Sequence, residues 1–241
     1  MKPHFIYKSA FLGVLLFCCY SAVAQNDALG GWNIFNFNYY FNKKIFIYSE
    51  IQVRSQHIAD DFFYHELKVG GGYNITDKSS AFLGFGNYKT YTYPGNFEKP
   101  VTSNEYRIWQ QFIISAYLGR VKFENRARIE ERWIDKDFFM RFRYRINSII
   151  PINHSKLIAN TVYTSVYDEV FFTNEAPYFI RNRVYGGVGY QFSQTVALQS
   201  GFIRQFDYRK TDDGSGKNFI QLTLIINGGH PGLEPHHSDT D

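Results

Sequence analysis

From Gly31 to Asn227 apolar and polar residues alternate along the chain, and no window of a dozen residues carries a helical period. The clearest case is Val121 to Trp133. There Lys122, Glu124, Arg126, Arg128, Glu130 and Arg132 fall on one face, and Val121, Phe123, Ala127, Ile129 and Trp133 on the other. Successive side chains of a strand point to opposite faces, so this segment has one ionic and one apolar side. Met140 to Ile149 repeats the pattern, with Met140, Phe142, Tyr144 and Ile146 against Arg141, Arg143, Arg145 and Asn147. Residues 45–54, 63–69 and 105–114 read the same way. Weaker alternation runs near 31–40, 80–91, 157–168, 178–191, 195–208 and 218–227, which brings the strand segments to eleven.

Short polar turns at 42–44, 76–78, 118–120, 153–155 and 193–194 alternate with longer links at 56–62, 92–103, 134–138, 169–177 and 209–217. Short turns at one end and long loops at the other are the pattern of an antiparallel up-and-down barrel crossing a bacterial outer membrane. The expected fold is therefore all-β, a transmembrane β-barrel over residues 25–228. Bacterial single-chain barrels have even strand numbers, so eleven segments must be wrong by one, and ten or twelve strands are expected.

Alternation is symmetrical and does not say which face is inside. A soluble sandwich or lipocalin buries the apolar face, whereas a membrane barrel turns it to lipid and lines its lumen with the polar one. Segments of ten or more residues exceed the usual five or six of soluble sheets. Aromatic residues also gather at segment ends, as an interfacial girdle requires: Trp32, Tyr39, Tyr40, Tyr73, Tyr91, Tyr93, Trp133, Tyr178 and Tyr190. In this register Ser49, Gln110, Asn125, Glu131 and Asn182 face lipid.

Residues 1–24 read as an export signal, with Lys2 and Lys8 ahead of an apolar run from Ala10 to Tyr20 and small residues at Ala22 and Ala24. The run is about half the roughly 20 residues a spanning helix needs. Both cysteines, Cys18 and Cys19, lie in this leader, so the mature chain has no thiol chemistry. Losing Lys2 and Lys8 brings the 26 Lys and Arg to 24 against 22 Asp and Glu. Total charge therefore says little, and its placement says more. The location expected is the outer membrane of a Gram-negative cell, with residues 229–241 as a polar flexible tail.

Several motifs, in order, look familiar: Gly31-Trp32, Glu50-x-Gln52-x-Arg54, the ladders Arg126-x-Arg128-x-Glu130-x-Arg132 and Arg141-x-Arg143-x-Arg145, Asp168-Glu169-x-Phe171-Phe172-x-Asn174, and Asn182-Arg183-x-x-Gly186-x-x-Gly189-Tyr190. Over essentially the whole mature chain the sequence resembles the bacterial outer-membrane family known as domain of unknown function 2490, common in Bacteroidota. The resemblance implies an outer-membrane barrel with no assigned activity and supplies no catalytic residues. The chain departs from it in the tail, which moves any terminal aromatic assembly signal away from the C-terminus.

An inward ionic face places Lys122, Arg126, Arg128, Arg132, Arg141, Arg143, Arg145, Arg181 and Arg183 on one wall, with Glu124 and Glu130. Arg54, Lys68 and Arg107 balance Glu50, Glu66 and Glu105 elsewhere. Pairing across 134–138 is expected to set Glu130 opposite Arg143 and Arg132 opposite Arg141, with Asp168 or Glu169 bridging the repulsive pair. The eight arginines from Arg126 to Arg183 are the candidate lumen and anion-binding residues, with Glu50, Glu105, Glu130 and Glu169 as counter-charges. Such a wall either locks the barrel through Arg–Glu networks or forms a narrow anion-preferring channel, since Arg presents a bidentate fork to phosphate and carboxylate. The alternative is a secreted soluble β-barrel binding an apolar ligand. A hydrolase is less favoured, because His57, His65 and His154 sit in different links and no motif places a Ser. No catalytic residue, cofactor or metal site is expected, and His230, Glu234, His236, His237 and Asp239 read as a polar tail. Partners expected are outer-membrane lipid, lipopolysaccharide and the barrel-assembly machinery, with no nucleic acid and a monomeric state.

Overall fold

The structure, a computed structural model, describes residues 29–210 and 214–229. The leader and the residues from 230 onward lie outside the described residues, as do the tail histidines. Eleven strands follow one another: β1 Gly30–Tyr40, β2 Ile45–His57, β3 Asp60–Thr76, β4 Ser79–Tyr91, β5 Val101–Leu118, β6 Val121–Ile134, β7 Asp137–Pro151, β8 Thr161–Thr173, β9 Phe179–Gln191, β10 Val196–Asp207 and β11 Ser215–Gly229. Each pairs antiparallel with the next, and the sheet closes on itself through β1 and β11.

The strand number corrects the expectation of ten or twelve. Among the described residues there are eleven, because β1 and β11 run in the same direction and pair parallel from Gly30–Phe219 to Tyr40–Gly229. An even number is needed only when every ladder is antiparallel. One parallel ladder satisfies the backbone groups of both edge strands and removes the edges equally well.

The lower rim carries the links 41–44, 77–78, 119–120, 152–160 and 192–195, and the upper rim carries 58–59, 92–100, 135–136, 174–178 and the described residues 208–210 and 214. The expected contrast in loop length is largely lost. Two of the anticipated long loops are two-residue turns, closed where Ala59 and Asp135 take positive φ. The expected short turn at 153–155 is instead the longer link 152–160, held by side chains that capture backbone amides: Val162 N–H donates to Asn153 Oδ1 and Ile158 N–H to Thr161 Oγ1. These bonds delay β8 to Thr161, so Glu169 lies well inside a strand and not in a loop.

Direct partners traced around the wall from Tyr40 pass through Phe46, Gly72, Phe82, Gln111, Arg128, Arg143, Phe171, Arg181 and Asp207 to Ser215. Ser215 is four residues short of Phe219, the partner of Gly30. One circuit therefore staggers the register by about 14 residues, which for eleven strands gives a tilt of roughly 40° and a backbone radius of about 11 Å. From a wall of that radius, arginine-length side chains on opposite sides meet near the axis.

Burial decides the face. Arg126, Arg128, Arg143, Glu50 and Glu130 point inward and are buried, while Ile47, Ile51, Leu67, Phe85, Ile129 and Phe142 point outward and are exposed. The apolar half of each strand thus forms the exterior, which is the reverse of a soluble β-protein. Two residues of the expected girdle are corrected. Trp32 and Tyr40 are buried inside the barrel, because β1 presents Phe35 and Tyr39 outward and its alternate positions inward. Trp32 Nε1 donates to Gln52 Oε1 at 2.8 Å. Tyr39, Tyr73, Tyr93, Trp133 and Tyr178 are exposed.

Candidate functional site in the barrel interior

The lower half of the interior is aromatic and small. Tyr167 and Tyr185 stack at 4.9 Å, and Phe46 and Tyr48 lie against Phe82. Glycines make the room: a Cβ on Gly84 would lie 2.3 Å from the Trp109 ring, and one on Gly189 2.1 Å from Tyr163. This is the close packing that Gly in a strand allows.

Charge is gathered at mid-height and toward the upper rim. On the β2–β3 side, Glu50 accepts hydrogen bonds from Lys68 Nζ at 2.7 Å, from Tyr48 and from Asn36, while Glu66 takes Lys68 and lies 3.6 Å from Arg54. Arg54 lies over Trp32, its guanidinium carbon 3.5 Å from the ring centroid. On this side Lys68 and Arg54 balance Glu50 and Glu66, while Arg107 and Glu105, expected in the same balanced set, join the network of the other side.

The β5–β10 side holds the excess. The β6–β7 register differs from the expected one by two residues, since the turn is only Asp135-Lys136. Glu130 therefore faces Arg141, while Arg128 faces Arg143 and Arg126 faces Arg145. Opposed like charges repel unless something lies between them, and two carboxylates do. Glu130 accepts from Arg141 Nε and Arg143 Nη1, both at 2.7 Å, with Arg128 at 3.6 Å and Arg107 at 4.0 Å. Glu169 accepts from Arg143 Nε at 2.9 Å and from Arg126, with Arg183 at 3.9 Å. Glu169 thus bridges Arg126 and Arg143 and not the Arg132–Arg141 pair it was expected to bridge, whereas Asp168 points outward and accepts from Asn182.

The remaining candidates complete the network. Arg132, expected against Arg141, instead pairs with Glu105, which also takes Arg107 at 2.6 and 2.8 Å. Arg183 donates to Gln205 and Arg128 to Gln111. Arg145 lies over Tyr167. Arg181 pairs with Asp207 near the upper rim. Glu124, seen in the sequence, pairs with Lys122 at 3.1 Å near the lower rim.

Sequence reasoning missed Asp207 and the aromatic platforms. Phe171 is fully buried, and four guanidinium carbons surround its ring centroid: Arg143 at 4.6 Å, Arg183 at 4.7 Å, Arg141 at 5.4 Å and Arg181 at 5.7 Å. Its inward place on β8 was readable from the alternation. Its arginines come from β7 and β9, and only the register brings them together. The histidines do not converge: His57 contacts Asp61 at the upper rim, His65 lies by Tyr91 and Phe97, and His154 contacts Thr161 at the lower rim. Among the described residues no three His, Cys, Asp or Glu side chains are grouped to hold a metal ion.

Fold and interior together define a closed β-barrel with an ionic, arginine-rich inside and an apolar outside. The family described as "Protein of unknown function (DUF2490)" matches residues 29–216, and the chain belongs to it. No curated protein matches the chain. Among solved structures it is similar to LpxR from Salmonella typhimurium, with 8% identity, a TM-score of 0.44, and coverage of 79% of this chain and 86% of that one.

Proposed function

We propose that this protein spans the outer membrane of a Gram-negative cell as a non-catalytic barrel whose Arg–Glu lattice closes it at mid-height. What supports the membrane reading is the exposed apolar exterior: every strand turns its greasy face outward, and closure pairs the strands around the whole wall, as a hydrocarbon environment demands. Strands of 11 residues or more, tilted by roughly 40°, reach across the apolar band about 25 Å tall that such barrels present. What supports closure is that Glu130 and Glu169 have no exposed surface and the arginines around them almost none. On this reading the surrounding partners are lipid and lipopolysaccharide, and assembly machinery delivers the chain.

Fractionation and planar-bilayer recording test the proposal. The expected result is heat-modifiable outer-membrane material with no steady conductance. Recovery in the soluble periplasmic fraction would overturn the location. A reproducible anion-selective current would replace closure with the narrow channel, a reading favoured by the excess of arginine on β6–β9.

A further inference from the structure

We propose that the outer face of β3 to β6, just below the upper rim, is a binding groove for an anionic phospholipid, with one acyl chain in the groove and the phosphate on Lys89. The inference rests on the membrane reading and goes beyond it, from a general apolar exterior to one lipid site.

The groove follows from the register. Leu67, Asn87, Tyr106 and Trp133 are direct partners in one row across the outer face, and Val69, Phe85 and Ile108 form the row below. Asn87 is short and polar among large apolar neighbours, and its Nδ2 donates to Asn104 Oδ1 at 2.9 Å. A space of about 410 Å³ opens there, lined by Leu67, Val69, Phe85, Tyr106 and Trp133. That is within the roughly 300–1,000 Å³ of small-ligand sites.

Charge says what lies in it. The next row toward the upper rim is His65, Lys89 and Asn104, so a lysine sits directly above the apolar space and neither of its cross-strand partners is acidic. The β3 side of Lys89 is walled by aromatic rings: Phe97, from the link 92–100, lies 5.5 Å from His65 and 5.0 Å from Tyr91, and its N–H donates to Phe62 O at 3.1 Å. An ammonium one row above an apolar groove complements a lipid, whose phosphate gains a charge-assisted contact while its chain gains apolar contact. Trp133 and Tyr106 stand at the groove as aromatic residues do at a membrane interface, which sets the headgroup end uppermost. One groove under one lysine fits a phospholipid better than a many-chained lipopolysaccharide.

The test uses the full protein in phosphatidylcholine vesicles and reads tryptophan fluorescence. Of the three tryptophans, Trp32 and Trp109 are buried inside the barrel, so Trp133 reports the outer face, and Trp133→Phe should abolish the signal. Phosphatidylglycerol with brominated acyl chains is compared with brominated phosphatidylcholine at equal mole fraction. The expected result is quenching that saturates at low mole fraction of the anionic lipid, with about fivefold preference over the zwitterionic one, the worth of one lysine at an anionic surface. Lys89→Gln should remove the preference, and so should Asn87→Phe, which fills the groove. Equal quenching by both lipids at every mole fraction, or a preference that survives Lys89→Gln, overturns the proposal. Competition by lipopolysaccharide but not by unlabelled phosphatidylglycerol, or quenching that falls as protein density rises, overturns it in favour of a different lipid or a second copy of the chain. Heat-modifiable mobility checks that each variant folds. If Lys89→Gln does not fold, the parent protein decides, because a preference indifferent to high salt overturns the assignment of the phosphate to Lys89. Quenching by neither lipid would refute the membrane reading itself, so the two failures are distinguishable.

Discussion

Replacing Glu130 with Gln removes the carboxylate at the centre of the inner lattice while keeping its shape. Arg141 and Arg143 each donate to it at 2.7 Å, and Arg128 and Arg107 lie 3.6 and 4.0 Å away. At the effective dielectric that describes protein interiors, one such pair is worth about 4–5 kcal/mol before desolvation. Measured losses on breaking a buried pair run at about 3–5 kcal/mol, because the partner charge stays buried. Here several cations are left facing one another, so the upper end applies, about 5 kcal/mol. For a barrel of this size that lowers the midpoint of thermal unfolding by roughly 10–20 °C. The assay is loss of heat-modifiable mobility and of strand circular dichroism in detergent at a fixed heating rate, since such unfolding is commonly irreversible. Glu131→Gln is the control, as Glu131 points outward and contacts Gln110. Adding Arg141→Gln to Glu130→Gln should recover part of the loss. A Glu130→Gln protein within about 1 kcal/mol of the parent would refute the reasoning, because it would mean water or mobile ions already solvate this belt.

Other outcomes follow from the same geometry. Asp168 sits halfway along β8 on the outer face and accepts a hydrogen bond from Asn182 Nδ2, so Asp168→Val should stabilise the protein in lipid vesicles by about 1–2 kcal/mol. No gain there would argue that water, not hydrocarbon, bathes this face. Gly84→Ala drives a Cβ to 2.3 Å from the buried Trp109 ring and should lower stability by about 1–3 kcal/mol, read by the same thermal assay. Truncating the lattice with Arg126→Ala, Arg143→Ala and Glu169→Ala together should open an anion-selective current in planar bilayers where the parent is silent. A silent triple variant that retains its fold would place the seal elsewhere. At the upper rim, Asp60 accepts from Asn96 Nδ2 at 2.9 Å, and that hydrogen bond holds its carboxyl below the ordinary 3.8. A lowered value means the contact stabilises the rim above pH 3.8 and is lost as pH falls below it. Amide exchange at Phe62 and Phe97, corrected for the intrinsic rate, should rise in that range, and Asp60→Asn should abolish the change.

The alternation from Gly31 to Asn227 by itself determined the class of fold, the strand segments and the two-faced wall, because a period of two is a local property of an extended chain. It also determined that Arg126, Arg128, Arg141, Arg143, Arg145 and Glu130 share a face. It could not determine how the sheet closes. The parallel β1–β11 ladder joins residues nearly two hundred positions apart, and nothing local to either strand records it. Pairing partners were equally hidden. Contraction of 134–138 to the turn Asp135-Lys136 moved Glu130 from Arg143 to Arg141, since in a hairpin the turn sets the register of every pair above it. Which face looked inward, and that Glu169 and Phe171 gather arginines from two neighbouring strands, came only with the closed tertiary structure: a flat strand has two equivalent sides, and only a wall curved onto itself gives one of them an interior.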